Sequence, residues 1–326
     1  MKRFSNKFLP VFLLVITALT VCGCGNEADS PADQTVKIGL LSIDDSLPFF
    51  VAEQEGIFQE LGVAVELIPF DSALDKETAL EAGEIDGDMT DLVVTGLLKK
   101  GGLDVKIVET ALGAEPAEGR FVLLAAPDSG ITDISGLKGK SIAIGNNTII
   151  QYIGDRICYM NGFADEDIVT ENIPDLVLRM ETLLAGGVPA AILPDPLASV
   201  AINNGAAPLV DDTKLTADGS PVNLSQSVVI FTQESLDTKA EAIGKAIEGY
   251  RMAKEKINAN PDSYRDALRE FTNIPESLVA TYAMPKYTAG ALPSEAEVNS
   301  VFHWMFEKGL TDEEYDYGSV IDKRFQ

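Results

Sequence analysis

Residues 36–70, VKIGLLSIDDSLPFFVAEQEGIFQELGVAVELIPF, decide the fold class. The segment begins with VKIGLLSI, a nearly continuous apolar run that is typical of a buried parallel strand. Apolar residues then recur with helical spacing from Phe49 to Phe58, and after Gly62 the run VAVELIPF predicts a second strand. A strand, a helix and a strand in this order predict a βαβ unit.

The alternation continues through two further blocks of the chain. The segment SALDKETALEAGE predicts a helix, IDGDMTDL a short strand, VVTGLLKK a helix and VKIVETAL a strand. From Phe121 a second pattern begins, in which FVLLAA, LKGKSIAIG, IVTENI and PAAILPD predict strands with helices between them. After SQSVVIFT, a long amphipathic helix and a helical tail to about Lys308 follow. The sequence therefore predicts an α/β protein with largely parallel sheets.

The second pattern predicts a second lobe. We expect the strands near residues 121–126 and 228–231 to be the crossings between lobes. Residues 36–121 then form the first part of lobe 1, residues 122–226 form lobe 2, and residues 227–326 return to lobe 1. The C-terminal helices are expected to pack back on lobe 1.

The N-terminal residues predict export. MKRFSNK is basic, FLPVFLLVITALTV is apolar but too short to span a bilayer comfortably, and residues 1–23 therefore predict a signal peptide. Val21-Cys22-Gly23-Cys24 resembles the lipobox of bacterial lipoproteins, and Cys24 fits the lipidated position because the small Gly23 precedes it. Residues 24–35 are then a lipidated linker and the membrane is contacted through the lipid anchor alone. The alternative is a plain cleaved signal with two incidental cysteines.

Charge and cysteine content exclude several classes of protein. Lys and Arg number 25 against 51 Asp and Glu, a net charge of −26 that disfavours nucleic acid and anionic membrane surfaces as partners. After Cys24 the chain has one further cysteine, Cys158, so an intramolecular disulfide framework is not expected. Cys158 lies in an apolar-polar pattern and is expected to be a buried small residue.

Five blocks in a fixed order carry a resemblance to a known group. They are PFFVAEQEGIFQELGVAVELIPF, ALEAGEIDGDMTD, DISGLKGKSIAIGNNT, AGGVPAAILPDPLASVA and VVIFTQESLDTKAEAIGKAIEGYRMAKEKINANPD. The chain resembles substrate-binding lipoproteins of ABC importers, of the nitrate, sulfonate, taurine and thiamine-precursor group with the type II periplasmic-binding fold. The resemblance implies a monomer whose two lobes close on a small solute and deliver it to a permease driven by a separate ATPase. It implies no cofactor.

Ligands of open α/β sheets bind beyond the carboxyl ends of strands, and in two-lobed proteins such ends face one cleft. Four predicted strand ends qualify, and we expect their polar side chains and flanking apolar residues to bind the solute. The candidate ligand-binding residues are Asp44, Asp45, Ser46, Phe49, Met89, Thr90, Asp91, Asn146, Asn147, Thr148, Leu193 and Asp195.

The charge of these four loops predicts the ligand class. They hold Asp44, Asp45, Asp88, Asp91 and Asp195 and no lysine or arginine, which favours a neutral donor-rich or cationic ligand such as an aminopyrimidine or an amine. An oxyanion is the alternative, bound by helix N-terminal amides at residues 146–148 or by Arg120. The aspartates could also simply cap helices and face solvent.

Catalysis and metal binding have little support in the sequence. Related fungal enzymes that make the thiamine pyrimidine carry a cysteine-rich motif and a histidine, whereas this chain has neither pattern. Its one histidine, His303, is expected at the surface, and Trp304 is expected to pack in the core. A cation receptor built from Asp44, Asp91 and Asp195 would have to be a hard-ion site, so no metal site is predicted.

Overall fold

The computed structural model describes residues 34–116, 118–223, 227–272 and 274–326. The predicted signal peptide, the predicted lipidation site Cys24 and the linker up to residue 33 lie outside the described residues.

The described residues form strands close to those that the sequence predicts. The strands are β1 (Val36–Leu41), β2 (Val65–Phe70), β3 (Gly87–Asp91), β4 (Val105–Leu112), β5 (Phe121–Ala125), β6 (Ser141–Ile144), β7 (Val169–Asn172), β8 (Ala190–Pro194), β9 (Ala207–Asp211), β10 (Thr216–Ala217), β11 (Ser220–Pro221) and β12 (Ser227–Thr232). Strand β9 and the small β10–β11 hairpin were not predicted.

The helices connect these strands and cover the sheets. They are α1 (Leu47–Gln54), α2 (Ile57–Glu60), α3 (Ala73–Glu81), α4 (Leu92–Lys100), α5 (Ile149–Met160), α6 (Leu176–Leu184), α7 (Leu197–Asn203), α8 (Gln233–Thr238), α9 (Ala240–Ala259), α10 (Arg265–Phe271), α11 (Glu276–Val279), α12 (Glu295–Glu307) and α13 (Tyr317–Val320). Among the helices of the described ranges, none combines the length and the apolar sequence that a membrane span requires.

Two five-stranded sheets organise the chain, in the orders β2-β1-β3-β12-β4 and β7-β6-β8-β5-β9. We call the first sheet and its helices lobe 1, and the second sheet and its helices lobe 2. In each sheet one strand is antiparallel to its neighbours, β12 in lobe 1 and β5 in lobe 2. Each of these is the first strand after the chain changes sheets. The chain enters the new sheet at the carboxyl ends of the other strands. This first strand therefore runs antiparallel to them.

These two strands lie inside the sheets rather than between them, which differs from the expectation that they are the crossings themselves. The chain leaves the sheet of lobe 1 at Leu112 and enters that of lobe 2 at Phe121. The observed architecture is the two-lobed α/β fold that the resemblance implied, with both sheets mostly parallel.

The helix α12 joins the lobes. It packs on α4 of lobe 1 and also reaches α5 of lobe 2, where the rings of Trp304 and Tyr152 meet edge to face at 5.4 Å. The indole Nε1 of Trp304 donates to Asp155 Oδ2 at 3.1 Å. Trp304 is buried and His303 is exposed, as the sequence predicted. Cys158 is buried as well, and burial raises the pKa of its thiol to about 12.

Candidate functional site

A cavity of about 330 Å³ lies between the lobes, at the carboxyl ends of strands from both sheets. Lobe 1 contributes the ends of β1 and β3 and the helix α3, and lobe 2 contributes the ends of β6 and β7 and the helix α6. Much of the lining is apolar and includes Leu41, Ile43, Leu97, Leu98, Ile149 and Ile150. A hollow of about 730 Å³ on lobe 1, beside Phe58 and Val63, contains none of the predicted site residues.

Seven of the predicted residues line the cavity. They are Asp45, Met89, Thr90, Asp91, Asn146, Asn147 and Thr148. These side chains come from the end of β3 and from loops of both lobes, so the fold brings together residues that are about 100 positions apart in the sequence.

The other five predicted residues do not line it. Phe49, expected as part of the pocket, is fully buried and stacks on Tyr250 with ring centroids 4.1 Å apart. Leu193 is fully buried in the apolar core of lobe 2. Both follow from the direction of the side chain: Phe49 turns inward from α1 onto Tyr250, and Leu193 turns from β8 into the core of lobe 2.

Ser46 and Asp44 lie behind the cavity, in a short 3-10 turn after β1. Ser46 Oγ donates to Asp45 Oδ1 at 3.2 Å. Asp44 Oδ2 accepts a hydrogen bond from the Tyr282 hydroxyl, whereas its buried Oδ1 has no partner among the described residues. Burial and the facing carboxylate of Asp195 raise the pKa of Asp44 well above its ordinary value.

Asp195 belongs to an ion-pair network within lobe 2. Its Oδ2 lies 3.0 Å from Arg120 Nη1, and its Oδ1 accepts from the Ser199 amide at 2.9 Å. Arg120 Nε also lies 2.9 Å from Asp211 Oδ2. Arg120, which the sequence left open as an anion clamp, is therefore bound by two carboxylates and does not line the cavity.

Asp91 is a second carboxylate, besides Asp155, that connects the two lobes. Its Oδ1 accepts from the Val94 amide at 2.9 Å and caps α4, while its Oδ2 accepts from the Ile149 amide of lobe 2 at 3.0 Å. Burial raises the pKa of Asp91 to about 6, although both hydrogen bonds lower it. Burial likewise raises the pKa of Asp45 to about 6, against hydrogen bonds from Ser227 and Ser46.

Two buried cations that the sequence analysis did not predict, Lys76 and Arg179, also line the cavity. Lys76 Nζ lies 2.7 Å from Asp88 Oδ2 and 2.9 Å from Glu77 Oε1. Burial disfavours its charged form, but these carboxylates outweigh burial and raise the pKa of Lys76. Asp88 itself is fully buried, and burial raises its pKa despite the lysine.

Arg179 has a different set of partners. Its guanidinium donates to three backbone carbonyls, those of Ile173, Ile192 and Pro174, at 2.8, 3.2 and 3.3 Å. Among the described residues no carboxylate lies within ion-pair distance of it, and burial lowers the pKa of Arg179 to about 10, although the more distant charge of Asp175 raises it. A β-carbon at Gly145, just after β6, would lie 2.9 Å from Arg179 Nη2, so a larger residue there would displace the guanidinium from its present position.

The helical period could have located both cations. Lys76 precedes Ala79 and Leu80 by three and four positions, which places it on the buried face of α3. Arg179 lies between Leu176 and Leu183 on the buried face of α6. A charged residue on an apolar helix face is exceptional unless it is paired or functional, and that pattern was available in the sequence.

Known proteins resemble this chain in sequence and in fold. The family model described as "NMT1/THI5 like" matches residues 44–264. A protein of Bacillus subtilis (strain 168) named for binding aliphatic sulfonates is 28% identical over 141 residues, which are 41% of each chain. The matched part thus spans about two fifths of that curated relative.

Two solved structures share the fold over most of their length. The ligand-binding component of an ABC-type import system from Staphylococcus aureus, solved with zinc bound, has a TM-score of 0.73 at 14% identity, over 90% of this chain and 97% of that one. The periplasmic aliphatic sulphonate-binding protein of Escherichia coli has a TM-score of 0.72 at 19% identity, over 88% and 97% of the two chains.

Proposed function

The chain belongs to the NMT1/THI5-like family, and from this membership we propose that it is the solute-binding component of an ABC importer. The observation that carries the proposal is the cavity between the lobes, which polar and charged residues from both sheets line. The matched ligand-binding component of an import system has the same fold. The partners are then a permease and its ATPase, and the protein is exported and held at the membrane by a lipid on Cys24.

Binding rather than catalysis suits the described residues. The Cys158 thiol is buried, and its raised pKa of about 12 keeps it protonated and unreactive. The imidazole of His303 lies on the surface between Glu307 and Glu314. Neither residue lines the cavity. Lobe closure is therefore the functional step, and the solute stabilises the closed state through contacts with both lobes.

We propose that the solute presents a neutral or cationic nitrogen-rich group to lobe 1. Asp45 and Asp91 line that side of the cavity, and the nearby charge of Lys76 is already engaged by Asp88 and Glu77. Buried carboxylates with raised pKa values gain from a donor group or a positive charge beside them. An aminopyrimidine or an amine provides such a group.

An oxyanion is the second candidate, and Arg179 is the observation that favours it. The guanidinium lines the lobe 2 side of the cavity, and no carboxylate of the described residues pairs with it. A sulfonate or a similar anion would supply the missing negative charge. Two of the matched proteins are named for sulfonates.

A thermal-shift screen of the purified protein distinguishes the two candidates. One ligand set holds nitrate, sulfonates and bicarbonate, and the other holds aminopyrimidines, polyamines and other organic cations. A ligand at 100 times its Kd stabilises the protein by about 2.7 kcal/mol. We expect stabilisation by the second set, weakened at least tenfold in Kd by Asp45→Asn, which keeps the shape of the side chain and removes its charge.

The matched control is Asp312→Asn, because the Asp312 side chain is 90% exposed. Stabilisation by the first set alone, unchanged by Asp45→Asn, would replace the nitrogen-rich ligand with the oxyanion. If no member of either set stabilises the protein, both ligand classes are wrong.

A further inference from the structure

The first amide of α5 is bound by a carboxylate from the other lobe. Ile149 begins α5, and its N–H is one of those that a helix leaves without an internal partner. This N–H donates to Asp91 Oδ2 of lobe 1, with 3.0 Å between the nitrogen and the oxygen. The two residues are 58 positions apart in the sequence. Both residues are buried, so the bond lies inside the cleft region and not on its rim.

The neighbouring amides are also occupied, but by neutral side chains of lobe 2. The amide of Asn146 donates to Asn172 Oδ1 at 2.9 Å, that of Asn147 to Gln151 Oε1 at 2.8 Å, and that of Ile150 to Thr148 Oγ1 at 3.3 Å. Asp91 therefore supplies the one charged acceptor among the acceptors at this helix end. The positive end of the helix dipole favours a negative charge at this position.

We propose that Asp91 is a built-in anion of the cleft, which fastens the two lobes together and excludes free oxyanions from the N-terminus of α5. The exclusion part rests on the proposed function, because it assumes that solutes enter this cavity. Arg179, which lines the same cavity and has carbonyl partners alone, would otherwise make this side of the cleft attractive to anions. The carboxylate of Asp91 is thus a specificity-determining and positioning group.

The variant Asp91→Asn separates the two bonds of this carboxylate. Asparagine keeps one side-chain oxygen, which can still cap α4 by accepting from the Val94 amide. Its amide nitrogen cannot accept a hydrogen bond from Ile149. The substitution therefore removes this one hydrogen bond between the lobes and preserves the helix cap, and the contacts of α12 with α5 remain, so the lobes are expected to remain folded.

Hydrogen exchange of the ligand-free full chain tests the contact between the lobes. We expect the Ile149 amide to exchange at least tenfold faster in Asp91→Asn, while the Val94 amide remains protected. The control is Asp316→Asn, since Asp316 caps α13 through the Ser319 amide without contacting the other lobe. An Ile149 exchange rate equal to that of the unmodified protein would overturn the proposed contact.

A calorimetric titration with methanesulfonate at fixed ionic strength tests the exclusion. We expect Asp91→Asn to bind methanesulfonate at least tenfold more tightly than the unmodified protein and Asp316→Asn to match the unmodified protein. Equal affinities in all three, or no binding by any of them, would overturn the exclusion. The exchange experiment needs no solute, so the contact between the lobes can hold even where the solute screen rejects the proposed function.

Discussion

The helices α3 and α6 occupy equivalent places in the two lobes, and each carries a buried cation, but the partners of the two cations differ. Each helix connects the first strand of its sheet order to the third, β2 to β3 and β7 to β8, and directs one long basic side chain to the cavity. On α3, Lys76 is neutralised by Asp88 and Glu77. On α6, Arg179 is held by carbonyl oxygens alone. The difference shows that residue charge alone does not set the polarity of a cleft, since pairing decides which charges remain.

The consequence is a cavity with two electrostatically different sides. On the lobe 1 side the carboxylates outnumber the one lysine, whereas the lobe 2 side keeps the positive charge of Arg179. A solute with a donor group at one end and an acceptor at the other would match both sides. Three predictions test this contrast between the lobes.

Lys76→Met carries the largest expected effect. Removing one partner of a buried ion pair leaves Asp88, which is fully buried, without its cation, and such losses cost about 3–5 kcal/mol of unfolding free energy. Urea denaturation at neutral pH measures the loss. The double variant Lys76→Met with Asp88→Asn should recover at least half of it, because the fully buried charge of Asp88 is then absent and only the partly exposed Glu77 has lost its cation.

The control for Lys76→Met is Lys245→Met, which breaks a surface pair with Glu241 whose side chains are 36% and 84% exposed. Exposed pairs contribute about 0–1 kcal/mol. A loss at Lys76 no larger than that at Lys245 would mean that the buried pair does not neutralise lobe 1 in the way described.

Arg179→Met should cost less than Lys76→Met. The substitution takes one donor from each of three carbonyls, at about 1–3 kcal/mol for each carbonyl that keeps no other donor, but it also removes a buried charge that forms no ion pair with a described carboxylate. Urea denaturation compares the two variants directly, with Arg269→Met as the control because the Arg269 side chain is 48% exposed. A loss at Arg179 that exceeds the loss at Lys76 would reverse the contrast between the two helices.

The sequence predicted most of the strands and the loops of the site, because buried parallel strands have near-continuous apolar runs and their ends carry polar residues. Strand β9 was missed since APLVD contains a proline and is only partly buried at the edge of its sheet. Position at the strand ends predicted twelve binding residues, and seven of them line the cavity. It could not distinguish Phe49, whose ring turns inward onto Tyr250, from the residues that turn toward the cleft.

The ion pairs, and the hydrogen bond from the Ile149 amide to Asp91, could not be derived from the sequence. Arg120 meets Asp195 and Asp211 across 75 and 91 positions, and Asp91 meets Ile149 across 58 positions. Such partners depend on the register of the sheets and on how the lobes meet. The acidic count of the loops overstated the negative charge of the cleft, because Lys76 and Arg120 are bound to two of those carboxylates, Asp88 and Asp195.

The smallest expected effect is a pH dependence of the free energy of unfolding, caused by Asp45 of lobe 1. Burial raises the pKa of Asp45 from its usual range to about 6, so the folded state binds a proton more tightly than the unfolded state does. The resulting stability is fully present below the unfolded pKa near 4 and is lost as the pH rises through about 6. Between pH 5.0 and 7.5 the titration of Asp45 alone should lower the free energy of unfolding by about 1.4 kcal/mol.

The protein is acidic, so weaker repulsion among its charges at pH 5.0 also raises the free energy of unfolding, independently of Asp45. Urea denaturation of Asp45→Asn at both pH values isolates the contribution of Asp45, because the variant keeps the weaker repulsion at pH 5.0. We expect a smaller loss of stability in Asp45→Asn than in the unmodified protein, and equal losses would mean that Asp45 is solvated as an ordinary surface carboxylate.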